Sequence, residues 1–209
     1  MLAGRGRTDV WTGGCIGDAV VLLHWDGWNW RRWDAPSYQA LDSRGTPCPV
    51  LASMGDGRVR ALVEDRLLAI DAAGSWEPAI PAPARRLGAR VARGERITAL
   101  VAAGLAEAWA LGSRESDRPP HEPSPFAVHF AQDAAPKVRP LPGHGTIQAV
   151  WSRGPDDVWA VGTDGLVLHF DGEFWTRMPI DTNENLVAVH GAGRTVWIGG
   201  GGTLLRRRF

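Results

Sequence analysis

At 209 residues, with 23 basic against 23 acidic side chains, the chain carries no net field that would draw it to nucleic acid or an anionic membrane surface. Eleven Trp against one Tyr, with 26 Gly and few helix-period patterns, predict an all-β protein of short strands packed sheet against sheet. No run of about 18 apolar residues occurs, so no spanning helix is expected.

The N-terminal stretch MLAGRGRTDVW has no apolar core of the kind a signal peptide carries, so the chain as written is expected in the cytoplasm; an upstream start or a removed leader would reverse that. An apolar run then begins at Asp9-Val10-Trp11, and another follows at Leu22-Leu23-His24-Trp25, closed by Asp26-Gly27 and a hairpin holding Trp28, Trp30 and Trp33. The same two landmarks return in the same order four more times. The first recurs as Arg58-Val59-Arg60, Glu107-Ala108-Trp109, Asp157-Val158-Trp159 and Thr195-Val196-Trp197. The second recurs as Leu67-Leu68-Ala69, Ala127-Val128-His129-Phe130, Leu166-Val167-Leu168-His169-Phe170 and Leu204-Leu205-Arg206-Arg207.

The repeat is clearest over Ile147–Pro179, where four apolar runs, here called a to d, are divided by Arg-Gly-Pro-Asp-Asp, Thr-Asp-Gly and Asp-Gly-Glu. That punctuation predicts a four-stranded antiparallel meander. In runs b and c both parities are apolar, so both faces of each sheet are covered. Five such units, each unable to bury both faces alone, predict a single domain over 1–209: a five-bladed β-propeller with repeats at about 1–36, 49–82, 97–142, 147–181 and 186–209. The fifth copy stops after run c, so the last blade is expected to lack its fourth strand. Segments 37–49 and 81–96 are expected as surface connections, and Gly112 to Pro125 as an inserted loop too rich in Pro and charge to pack as strand.

The turns Asp26-Gly27-Trp28-Asn29-Trp30, Asp71-Ala72-Ala73-Gly74-Ser75-Trp76 and Asp171-Gly172-Glu173-Phe174-Trp175 look like degenerate Asp-box turns. Together with DVWAVG and LHFDG, the pattern resembles bacterial β-propeller repeats related to the BNR and photosystem II assembly-factor groups. The resemblance covers nearly the whole chain, most fully in the fourth copy. It implies a structural role for the turn: the Asp carboxylate accepts backbone N–H groups, Gly takes positive φ, and the Trp closes over the hairpin against the next blade.

Candidate chemistry is sparse. His24, His129 and His169 share one repeat position, which would place them on different blades, too far apart for one ion; they read as packing or hydrogen-bonding groups, and no metal or cofactor is expected. His144 and His190 add no ligand spacing. A glycosidase reading would need more than the lone Tyr38, and Asp156-Asp157 reads as the turn leading into run b. Gly199 to Gly202 stand between two strands and so form a turn, not a phosphate loop. The basic group Arg85, Arg86, Arg90, Arg93 and Arg96 has no interleaved aromatics and reads as a solvated face.

Trp28, Trp30 and Trp33 are the candidate ligand-binding residues, since alternate residues of one hairpin face opposite ways and a rim Trp stacks on a sugar or anchors a protein. Against this stands the need for large aromatics between blades. The expected function is a non-enzymatic binding or scaffolding propeller, with a protein or a glycan as partner and the chain a monomer. Trp109, Trp159 and Trp197 are expected to be buried in register. Cys15 and Cys48 are placed where a disulfide is geometrically open, and a reducing compartment would leave them as thiols.

Overall fold

The structure, a computed structural model, describes residues 2–16, 19–34, 50–53, 59–63, 66–70, 76–78, 95–104, 107–116, 121–131 and 134–208. Its described residues form five antiparallel sheets in strict chain order and no helix. The first sheet holds β1 (Leu2–Gly6), β2 (Asp9–Ile16), β3 (Ala19–Trp25) and β4 (Trp30–Asp34). The second holds β5 (Val50–Ser53), β6 (Val59–Val63), β7 (Arg66–Ile70) and β8 (Trp76–Pro78). The third holds β9 (Glu95–Ala102), β10 (Glu107–Arg114), β11 (Ser124–Ala131) and β12 (Lys137–Pro140). The fourth holds β13 (Ile147–Gly154), β14 (Asp157–Gly162), β15 (Val167–Phe170) and β16 (Trp175–Arg177); the fifth has three strands, β17 (Ala188–Ala192), β18 (Thr195–Gly200) and β19 (Thr203–Arg208).

The chain divides into two compact units, one of Met1–Ala89 with Gln132–Ala135 and one of Arg90–Ala131 with Pro136–Phe209. The first unit holds the first two sheets, with β1 and β2 against β5. The second holds the other three, with the leading strands β9, β13 and β17 side by side. Sheets that meet through their leading strands and carry their last strands outward are packed as propeller blades are.

One register runs through all five sheets. The residue at the Trp position of run b stands opposite a fixed position of run c: Trp11 opposite His24, Arg60 opposite Ala69, Trp109 opposite His129, Trp159 opposite His169 and Trp197 opposite Arg206. Because strand side chains alternate faces, holding this pairing puts the same positions on the same face of every sheet. In the second unit, Trp109 and Leu111 of β10 pack with Val158, Leu168 and Phe170 of the fourth sheet. Trp159, Val161 and Val167 pack with Val189, Val196 and Ile198 of the fifth. The fourth sheet therefore buries both faces by having a sheet on either side.

Glycine permits the close approach where run b ends. A Cβ on Gly112 would collide with the backbone of Arg96, and one on Gly162 with the backbone of Thr146, each at the start of its sheet's leading strand. Polar groups join neighbouring sheets at this level: the buried Ser113 hydroxyl accepts the Ile147 N–H at 3.0 Å and donates to the Gly145 carbonyl at 3.2 Å.

Three expectations are corrected. Trp197 is 40% exposed, whereas Trp11, Trp109 and Trp159 are each 1% exposed. Within its unit Trp197 lies on the face of the fifth sheet that no further sheet covers, and Arg206 lies over its ring at 5.6 Å instead. The segment Gly112 to Pro125 is not all loop: β10 runs on to Arg114 and β11 starts at Ser124, with Ser113 opposite Pro125, so the strands absorb both ends of it. The Pro125 nitrogen needs no ladder partner there, and its carbonyl accepts the Leu141 N–H at 2.9 Å. The third copy, which lacks the Asp-Gly turn, still pairs β11 with β12 from Phe126 to His129. Finally, Trp175 closes back on the preceding sheet, not the next, with its ring 5.5 Å from Trp109 and edge-on to it.

Candidate functional site

The repeated polar groups form a structural triad. In the fourth sheet Asp157 Oδ1 accepts the Trp159 indole N–H at 2.7 Å and lies 2.9 Å from His169 Nε2, while the imidazole stacks on the indole at 4.3 Å. In the first sheet Asp9 Oδ1 accepts from Trp11 at 3.0 Å and meets His24 Nε2 at 2.9 Å, with the rings stacked at 4.2 Å. In the third, Glu107 Oε2 meets His129 Nε2 at 3.1 Å, and His129 stacks on Trp109 at 4.3 Å. An ionised carboxylate only accepts, so each imidazole presents its proton at Nε2. Each histidine thus has its own carboxylate on its own sheet. Asp157 begins run b, as the turn reading of Asp156-Asp157 requires.

The Asp-Gly turns use the chemistry the resemblance implies. Asp26 Oδ1 accepts the N–H groups of Trp28 and Asn29, both at 2.9 Å, and Gly27 has φ 98°. Asp171 Oδ1 accepts those of Glu173 at 2.9 Å and Phe174 at 2.8 Å, and Gly172 has φ 101°. The backbone donors of Asn29 and Trp28 hold the Asp26 carboxyl below its ordinary value, and those of Phe174 and Glu173 do the same for Asp171. The turn at 71–75 lies outside the described residues.

These turns decide what the hairpin tryptophans present. Trp28 sits at the turn tip and is 83% exposed, and Trp30 is 48% exposed with its ring 5.7 Å from Trp25. Trp33, of opposite parity, packs inward 5.9 Å from Trp11. The three predicted residues therefore separate into an exposed pair and a partly buried residue facing the other way. Arg31, next in sequence to Trp30, pairs through Nε with Asp26 Oδ2 at 3.0 Å, a second contact on the carboxylate that orders the turn.

Sequence reasoning missed a second feature, in the second unit. A cleft of about 570 Å³ opens between the fourth and fifth sheets, floored by Trp159, Val167, Ile198 and Leu205 and walled by Met178 and Ile180. Arg207 lies over the Trp159 ring at 5.8 Å. β19, the last strand of the fifth sheet among the described residues, forms one side of the cleft. The cleft was not legible because it depends on which face of run c turns toward the fourth sheet. Cys48, Tyr38 and residues 85–94 lie outside the described residues, as does the Cys15 side chain, so the proposed disulfide and most of the arginine group fall there too; Arg96 is exposed on β9.

No protein-family model matches the sequence, and no curated protein is similar to it. Among solved structures, the chain is similar to YCF48 bound to D1 peptide, with TM-score 0.56 and 18% identity over 99% of this chain and 62% of that one. It is likewise similar to YCF48 from Cyanidioschyzon merolae, with TM-score 0.56 and 16% identity over 100% of this chain and 66% of that one. The chain thus spans less than two thirds of the length of either. At these identities the likeness carries the fold, an all-β propeller of antiparallel sheets, and nothing further.

Proposed function

We propose that the chain is a non-enzymatic protein-binding propeller and that the exposed pair Trp28 and Trp30 anchors its partner. The observation that carries this reading is the exposure of two indoles on a turn whose backbone is fixed by Asp26, itself paired with Arg31. Rigid aromatics are among the residue types that dominate protein interfaces, and a turn already ordered by its own hydrogen bonds loses little entropy on docking. The triad carboxylates and imidazoles are engaged with one another and with indoles, which supports a structural role for them over acid–base work. A YCF48 structure holds a D1 peptide, and that likeness of fold supports a polypeptide partner. With this goes the reading of residues 1–209 as one five-bladed propeller, supported by the single register shared by the five sheets.

The test presents the full chain to a displayed library of linear peptides and, in parallel, to a glycan array. Peptides retained by the wild type and lost by the Trp28→Ala, Trp30→Ala double variant are the expected result. Glycan binding lost by the same variant, with no peptide retained, would replace this reading with a lectin.

A further inference from the structure

We infer that the turn at 171–174 of the fourth sheet, which carries the exposed ring of Phe174, is a second docking point and takes an arginine side chain from an extended segment of a partner protein. The inference rests on the reading of the chain as a protein-binding module, but not on the tryptophan hairpin.

The first sheet shows what such a turn itself requires. In both sheets one Asp oxygen accepts the N–H groups two and three residues on, and the Asp N–H donates at 3.3 Å to the carbonyl of the fourth turn residue. The Gly between has φ 98° in one and 101° in the other. The backbone is the same, so a residue that differs between the two turns is not demanded by the fold. Where the first turn has Trp28 and Asn29, the fourth has Glu173 and Phe174. Where Gly27 packs over Thr8, Gly172 packs over Asp156, whose Oδ1 would stand 3.0 Å from a Cβ added at that glycine. Where Arg31, opposite His24, pairs with Asp26, the matching residue opposite His169 is Thr176. The fourth turn thus gains two carboxylates and a phenyl ring at positions where the first has none, and it lacks the cation.

Phe174 is 61% exposed, and Asp171 Oδ1 holds its N–H at 2.8 Å, so the ring is carried on an ordered backbone. Asp156, Asp171 and Glu173 bring three carboxylates to this one turn; all three residues are exposed, and none forms an ion pair among the described residues. The arginines of the sheet are directed elsewhere. Arg153 lies on Asp157 Oδ2 at 2.8 Å, and Arg177 runs along Gly143, beside Leu166 at the other end of run c. Like charges gathered on one surface favour a cationic partner and repel an acidic one. Among cations, arginine answers both parts of the turn, because its planar guanidinium stacks on an aromatic face and its fork of N–H donors meets carboxylates in pairs. Lysine brings a point charge without the planar stack.

The probe is a capped synthetic peptide, Gly-Arg-Leu-Arg-Gly, titrated against the full chain, with backbone amide chemical shifts read at 172–174. Expected are shifts at those amides and at least about tenfold weaker binding of the peptide with citrulline, similar in shape but uncharged, at both arginines; the lysine peptide should fall between the two. The Phe174→Ala variant and the Asp156→Asn, Glu173→Gln variant should each bind at least about tenfold more weakly, with thermal melts unchanged because these side chains are exposed. Asp171, which orders the turn, is left intact. Amides unmoved at 172–174, equal binding of the citrulline or lysine peptide, or full binding by either variant would each overturn the inference. If these amides stay unmoved while other peptides depend on Trp28 and Trp30, this inference fails and the proposed function stands; if no polypeptide binds anywhere, both fail.

Discussion

Glu107 reaches His129 at 3.1 Å but leaves the indole N–H of Trp109, two residues along β10, buried with no partner among the described residues. Where the repeat has Asp instead, as at Asp9 and Asp157, a single oxygen serves both the indole and the imidazole. The extra methylene of Glu carries the carboxylate past the indole. Glu107→Asp is therefore expected to stabilise the fold by about 1 kcal/mol, the gain from satisfying a buried donor. Chemical denaturation of the variant checks it, and an unchanged or lowered midpoint would refute the shared-acceptor account.

The converse substitution removes an acceptor on which Trp159, His169 and Arg153 all converge, the last with its Nε 2.8 Å from Asp157 Oδ2. Asp157→Ala should cost about 2–3 kcal/mol, since it strands a buried indole N–H and unpairs a half-buried imidazole. The loss would be read from the equilibrium unfolding curve.

Trp159 and Trp197 hold the same repeat position but differ in burial, at 1% and 40% exposure. Truncating Trp159 to Ala should cost about 3–5 kcal/mol through a cavity between the fourth and fifth sheets, while Trp197→Ala should cost less than about 1 kcal/mol. Comparable losses at the two sites would contradict the packing described.

Much of this fold was legible in the sequence, and for identifiable reasons. A period of two with Asp-Gly punctuation reports a meander directly, and a landmark such as the Trp159 and His169 pair reports register, because both sit on one face of one sheet. What stayed illegible depends on neighbours. Trp197 repeats the motif yet has no sheet over it in its unit, and no local pattern encodes that. The direction in which Trp175 closes depends on the handing of one sheet onto the next. For the hairpin, parity separated Trp28 and Trp30 from Trp33, but which pair faced out required the Trp11 contact.

The Asp26 and Asp171 carboxylates sit below their ordinary value of 3.8 because backbone donors stabilise the ionised form. Groups with a lowered folded pKa stabilise the fold fully above the unfolded value and lose that contribution as pH falls through the folded one. The two hairpins are therefore expected to loosen below about pH 4, and not on the alkaline side. Asp171→Asn, which keeps an acceptor but does not titrate, should flatten this acid limb in a pH series of thermal melts. An unaltered acid limb would count against the turn as its source.

The central claim is that two indoles on an ordered turn, Trp28 and Trp30, bind a polypeptide. The most direct measurement is a calorimetric titration of a library-selected peptide into the wild type and into the Trp28→Ala, Trp30→Ala variant, with both proteins melted in parallel. The account predicts an affinity loss of at least about thirtyfold, equivalent to about 2 kcal/mol, with the melting temperature unchanged because neither ring lies in the core. Equal affinity in the two proteins would contradict it.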